Sequence, residues 1–175
     1  MKNKIILLIG PKHCGKSCTG RALAEITGRI FYDLDEVIEA NTGKPARALY
    51  REGVEIFRRA EAAAVSGLLA VDGSCVAAAG GGIIDNQAAM NLLAGSANAF
   101  LVYLEISAET AWKRIAGTSA GGELPAFLDK TNPQKSHSEI HARRSHLYRD
   151  TAHLTIAAEN KSPREIAQEI SGHVK

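Results

Sequence analysis

The chain has 175 residues, a formal net charge of +2, 45% hydrophobic residues and three cysteines. That length supports one domain (1–175) with a real core, and the near-neutral charge excludes the large basic field of a nucleic-acid binder. No apolar run approaches membrane-spanning length, and three cysteines (Cys14, Cys18, Cys75) make no even disulfide framework, so the cytoplasm is the expected compartment.

The N-terminal charges lead into Lys4–Ile9, an apolar run that reads as a buried parallel strand rather than a signal segment, because it runs directly into Gly10-Pro11. Gly10-Pro-Lys-His-Cys-Gly15-Lys16-Ser17 then fits G-x-x-x-x-G-K-[ST]. A short helix from Ser17 to Glu25 follows, so the order is strand, glycine loop, helix. Loop N–H groups and the positive helix end suit a polyphosphate. Lys16 is placed to reach the β and γ phosphates of a nucleotide, and the Ser17 hydroxyl to ligate Mg²⁺. Cys14 and Cys18 stand at i and i+4, but Cys14 belongs to the loop, and both read as small packing residues.

A second strand, Gly28–Tyr32, leads to Asp33-Leu-Asp35. Residues two apart in an extended segment share a side, which puts both carboxylates at the sheet's carboxyl edge, where open α/β sheets bind ligands. One can hold Mg²⁺ and the other orient and deprotonate a hydroxyl; capping the helix before Glu36 is the plainer use of either. Glu55–Leu69 reads as an Ala-rich helix with Ile56, Ala60, Ala63, Ala64 and Leu68 on its apolar face. Strand Ser74–Ala79 precedes Gly80-Gly81-Gly82, where close approach of backbone to a ligand and a turn needing positive φ are both open explanations. Strand Ala99–Leu104 is followed by a helix capped by Ser107, running through Ala116.

Thr118–Lys135 breaks the pattern, with Gly121, Gly122, Pro125 and Pro133. A connection of this length suggests a lid, with a plain surface loop as the alternative. His137 and His141 lie at i and i+4 without the H-E-x-x-H arrangement and read as a solvated helix face. Trp112 reads as core or lid packing. Arg143-Arg144 sits in the same helix as the histidines; either this pair or Arg58-Arg59 can present a planar fork to a carboxylate or phosphate. A last strand, His153–Ala157, and a helix announced by Ser162-Pro-Arg-Glu165 close the chain. Strands alternating with helices predict an α/β fold with a parallel sheet.

Gly10–Ser17, Asp33-Leu-Asp35, Glu55-Ile-Phe57-Arg58-Arg59-Ala-Glu61, Ala79-Gly80-Gly81-Gly82-Ile83, Leu101-Val-Tyr-Leu-Glu-Ile-Ser107 and Ala142-Arg-Arg144-Ser-His-Leu147-Tyr148-Arg149 together resemble shikimate kinase over nearly the whole chain. The resemblance implies a three-layer P-loop kinase fold: a five-stranded parallel sheet in the order 2-3-1-4-5, substrate-binding helices over about 34–69 and a mobile lid over about 117–135. It implies transfer of the ATP γ-phosphate, with Mg²⁺, to the 3-hydroxyl of shikimate by a monomer. Gly10, Lys12, His13, Cys14, Gly15, Lys16, Ser17, Cys18 and Arg114 fall in the implied nucleotide site, with Arg114 near the adenine and the Glu159–Pro163 turn closing over the base. Ser17 and Asp33 fall on the metal. Lys16 and Asp35 are the implied catalytic pair. Asp35, Arg58, Gly80, Gly81, Gly82 and Arg144 hold shikimate: Arg58 and Arg144 clamp its carboxylate and Gly81 offers an N–H.

Two departures stand out. His13 replaces a family glycine, and Leu124-Pro125-Ala126-Phe127 stands where the family has an arginine followed by Pro-Leu-Leu. Lys12 or Lys130 is placed to replace the missing lid cation. Other readings of the same residues are a kinase of another small hydroxy acid or polyol, and a nucleotide-binding regulatory protein without kinase activity.

Overall fold

The computed structural model describes residues 5–118, 124–128 and 131–174. Five strands, β1 (Ile5–Ile9), β2 (Ile30–Asp33), β3 (Cys75–Ala78), β4 (Ala99–Glu105) and β5 (Leu154–Ala157), form one sheet in the order β2-β3-β1-β4-β5. All four pairings are parallel. The eight α-helices among the described residues are α1 (Lys16–Thr27), α2 (Leu34–Thr42), α3 (Ala46–Glu52), α4 (Val54–Leu69), α5 (Gln87–Ala94), α6 (Ala108–Thr118), α7 (Pro133–Thr151) and α8 (Pro163–His173).

The sheet is covered on both faces, which is why β1 is apolar at every position. Ile5, Leu7 and Ile9 enter one core with Leu34, Val65, Leu68, Leu101 and Tyr103; Ile6 and Leu8 enter the other with Leu23, Val102, Leu104, Ile166 and Ile170. Gly20 lets α1 lie on Phe31, since a Cβ there would stand 2.3 Å from the ring.

Several boundaries move for local reasons. Gly28 adopts φ 65 and caps α1, so β2 starts at Ile30 rather than at residue 28. Asn132 caps α7 by accepting from the Lys135 N–H at 3.2 Å, with Pro133 in the first turn, so residues 133–135 are helix rather than lid. The predicted apolar face of α4 is rotated: Ile56 and Ala63 are exposed, and the buried stripe is Glu61, Ala64, Val65 and Leu68. A helix rich in alanine carries a weak phase, and its neighbours α2, α3 and α5 decide which side is covered. Helix α5 announces itself only by its Asn86 cap.

Candidate active site

In this strand order β3 lies between β1 and β2. The loop after β1, the Asp33–Asp35 segment after β2 and the glycine triplet after β3 therefore meet at one carboxyl edge. They surround a cavity of about 300 Å³, walled on its other sides by Arg47 and Tyr50 of α3, Phe57 of α4, residues 125–127 and Arg144 of α7.

Gly10 has φ 143, and a Cβ there would stand 2.8 Å from the Leu104 carbonyl oxygen; Gly15 has φ 101 and starts α1. His13 occupies the left-handed region at φ 60, a conformation uncommon outside glycine, and its carbonyl accepts from Arg114 Nη1 at 3.0 Å. Lys16 is 8% exposed, and its Nζ donates to the carbonyls of Gly10 at 2.9 Å and Pro11 at 2.8 Å. This buried ammonium thus rests on loop carbonyls rather than on a carboxylate. Ser17 Oγ donates to Asp33 Oδ2 at 2.6 Å, while Asp33 Oδ1 caps α2 by accepting from the Asp35 N–H at 3.1 Å. Asp33 therefore takes the capping role, one of the uses its sequence position left open, and holds the Ser17 hydroxyl with its other oxygen.

None of the three glycines 80–82 has positive φ, which removes the turn explanation. Close approach is the reason instead. A Cβ at Gly81 would lie 3.0 Å from the Lys12 nitrogen, and one at Gly80 would touch Glu61 Oε1 at 3.3 Å and Asp35 Oδ1 at 3.4 Å. Arg144 reaches the cavity held on two sides: Nε donates to Asp85 Oδ2 at 2.9 Å and Nη1 to the Gly81 carbonyl at 3.1 Å. The same carbonyl accepts from the Tyr148 hydroxyl. Asp85 also takes a two-point contact from Arg143, at 2.6 and 2.9 Å.

A family model described as Shikimate kinase matches residues 12–175. The chain belongs to the shikimate kinase family. It is 34% identical over 172 residues to a shikimate kinase of Marinomonas sp. (strain MWYL1), covering 97% of this chain and 91% of that one. It is 36% identical to that of Streptomyces coelicolor, covering 96% and 94%. The structure of shikimate kinase from Acinetobacter baumannii in complex with shikimate superposes with a TM-score of 0.85 at 31% identity, covering 97% of this chain and 92% of that chain.

Most residues that the shikimate kinase likeness singles out line this one cavity: Lys12, His13, Lys16, Ser17, Asp33, Asp35, Gly80, Gly81, Gly82 and Arg144. Others stand elsewhere. The Arg58 guanidinium is turned outward to Glu55 at 3.1 Å and is absent from the cavity wall. Cys18 is exposed on α1, whereas Cys14 is buried beneath Lys16, its sulfur 3.7 Å from Nζ. Arg114 braces the P-loop backbone at His13. The Gly81 carbonyl accepts from Arg144 and Tyr148. His137 and His141 are buried, not solvated; α7 packs on α6, and the His137 ring lies 5.6 Å from Trp112. Lys130 lies outside the described residues.

Three contributors escaped the sequence reading. Asp85 was signalled only by its place after the glycines, opposite an Arg-Arg pair. Arg47 donates from α3 to the Leu124 carbonyl at 3.0 Å, a contact between segments far apart in the chain. Glu61 is 1% exposed with Oε1 unpartnered among the described residues, while Oε2 accepts from Asn86 at 2.9 Å.

The electrostatics divide the carboxylates. Burial, reinforced by the Asp33 charge, raises the proton affinity of Asp35 from its ordinary value against the pull of Lys16 and Lys12. Burial pushes Glu61 up to about 7, opposed by the Asn86 hydrogen bond and by Arg144 and Arg58. Burial also acts on Asp85, but the Arg143 hydrogen bond and the Arg144 charge outweigh it and hold Asp85 low. Among the described residues no group of three or more His, Cys, Asp or Glu can hold a metal. Ser17 Oγ and Asp33 Oδ2 nevertheless offer a pair of hard oxygen ligands beside the phosphate loop. That donor set fits Mg²⁺, which keeps several waters and takes phosphate oxygens.

Proposed function

We propose that this protein transfers the γ-phosphoryl group of Mg-ATP to the 3-hydroxyl of shikimate, releasing ADP and shikimate 3-phosphate. The observation that carries the reading is one cavity whose wall holds Lys16 and the Ser17–Asp33 pair together with Asp35, the glycine triplet and Arg144. In this reading the first set faces the phosphates and the second the acceptor. Family membership supports it, as does the likeness to a kinase whose structure holds shikimate.

In this reading Gly10–Ser17 cradles the polyphosphate with backbone N–H groups, and Lys16 exchanges its loop carbonyls for phosphate oxygens. Ser17 and Asp33 hold Mg²⁺, which neutralises charge on the β and γ phosphates when bound. Asp35 orients the acceptor hydroxyl and takes its proton as the oxygen attacks phosphorus and ADP leaves. Its raised proton affinity suits that task, although a loose transition state demands little of a base.

Arg144 grips the acceptor carboxylate, and Arg58 joins it by exchanging Glu55 for the arriving anion. Gly80, Gly81 and Gly82 let the acceptor lie against bare backbone. Arg114, the loop positions His13 and Cys14, and Cys18 of α1 belong to the nucleotide side, where Arg114 fixes the loop for the base to settle beyond it. Residues 125–127, within the predicted lid, exclude water that would compete as acceptor. The enzyme works as a cytoplasmic monomer, and no described helix is long and apolar enough to cross a membrane.

The test measures ADP release from Mg-ATP with and without shikimate and with a panel of other hydroxy acids. Stimulation by shikimate is expected. Stimulation only by another acid, or ATP binding with no acceptor-dependent turnover, overturns the assignment.

A further inference from the structure

Among the described residues four cations line the cavity: Lys12, Lys16, Arg47 and Arg144. Three are engaged with the protein. Lys16 rests on the carbonyls of Gly10 and Pro11, Arg47 on the carbonyl of Leu124, and Arg144 on Asp85 and the Gly81 carbonyl. Lys12 makes no hydrogen bond or ion pair among the described residues. Its backbone is locked against the glycine triplet, where a Cβ on Gly81 would stand 3.0 Å from the Lys12 nitrogen. That contact fixes where its side chain starts, at the seam between the phosphate loop and the acceptor end.

The charges that act on Lys12 mark the same seam. Burial lowers its proton affinity, Asp35 raises it, and Arg47 and Lys16 lower it further. Asp33, His13 and Arg144 line the same cavity. An ammonium partly stripped of water and left without a counter-ion stands ready for an anion that arrives with the substrates.

We propose that Lys12 is a catalytic residue whose ammonium holds the transferring phosphoryl group between Lys16 and Asp35. It does from the phosphate loop what no cationic side chain does at Leu124. Arg47, tied to the Leu124 carbonyl, keeps a second positive charge close by and holds that segment over the cavity. The proposal rests on the phosphotransfer reading above.

Two variants and two measurements test it. Lys12→Met is expected to lower kcat about 100-fold, the scale of removing one preorganised charge stabiliser. The acceptor KM stays near the wild-type value, because the lost contact belongs to the transition state. Lys12→Arg, which keeps the charge, restores most of kcat. Calorimetry with Mg²⁺ and either ADP or the non-hydrolysable analogue AMP-PNP gives a readout that needs no turnover. In Lys12→Met the preference for AMP-PNP falls about tenfold, one charge-assisted hydrogen bond to the γ-phosphate. An unchanged preference overturns the proposal, as does a defect confined to the acceptor KM, which would move Lys12 to acceptor binding. A wild-type protein inactive on shikimate refutes the substrate reading alone, since the nucleotide preference still decides the place of Lys12.

Discussion

Replacing Glu61 with glutamine should flatten the pH dependence of stability. The side chain is 1% exposed, Oε1 has no partner among the described residues, and Asp35 is its neighbour across Gly80. Burial therefore pushes its carboxyl from an ordinary 4.5 up to about 7 in the folded protein. Between those values the folded state keeps a proton that the unfolded chain has released. Stability then falls as pH rises through this window and is level above it, the reverse of a salt-bridged carboxylate. The full effect is about 3 kcal/mol, most of which falls between about pH 5 and about pH 8. A glutamine side chain keeps the shape and an oxygen for Asn86 but has no proton to lose. Urea unfolding of the apo protein at the two pH values, for wild type and Glu61→Gln, isolates the contribution because other titrating groups are common to both. The wild type should lose about 2–3 kcal/mol more than the variant on going from the lower to the higher pH. Equal losses in both proteins would refute the buried, protonated Glu61.

Three more substitutions probe the walls of the cavity. Asp85→Ala removes the carboxylate shared by Arg143 and Arg144; the acceptor KM should rise about tenfold or more in steady-state assays, with the ATP KM little changed. Arg58→Ala should raise the acceptor KM in the same selective way, and equal damage to ATP binding would show that Arg58 serves only α4. Gly81→Ala forces a methyl group to 3.0 Å from the Lys12 nitrogen, where the neighbour is backbone and gives way poorly. Overpacking of this kind costs about 1–3 kcal/mol, visible as a lower thermal midpoint together with weaker nucleotide binding by calorimetry.

Much of this site was legible in the sequence because its parts are contiguous. Gly10–Ser17 carries its own strand and helix, and Asp33-Leu-Asp35 and Gly80–Gly82 each follow a strand. Local chemistry therefore marked the phosphate loop, the two carboxylates and the glycine contact. Strand cores were readable for a similar reason: a strand buried on both faces, such as Ile5–Ile9, is apolar at every position. The misreadings fall where packing between distant elements decides. The face of α4 was set by α2, α3 and α5, since alanines offer no strong phase. His137 and His141 look polar in sequence but are covered by α6 and Trp112.

The sequence by itself determined an α/β chain with a phosphate loop, a nearby pair of carboxylates and a bare glycine segment. Those follow from backbone requirements and side-chain chemistry within a few residues. The family resemblance already implied the order that sets β3 between β1 and β2; the tertiary structure shows the three segments that follow these strands lining one cavity. It also decided that Arg144 is aimed by Asp85, that Arg47 reaches Leu124 from 77 residues away, and that Glu61 is buried beside Asp35. Each of these depends on distance through space and on loss of water, and neither is written in the spacing of residues along the chain.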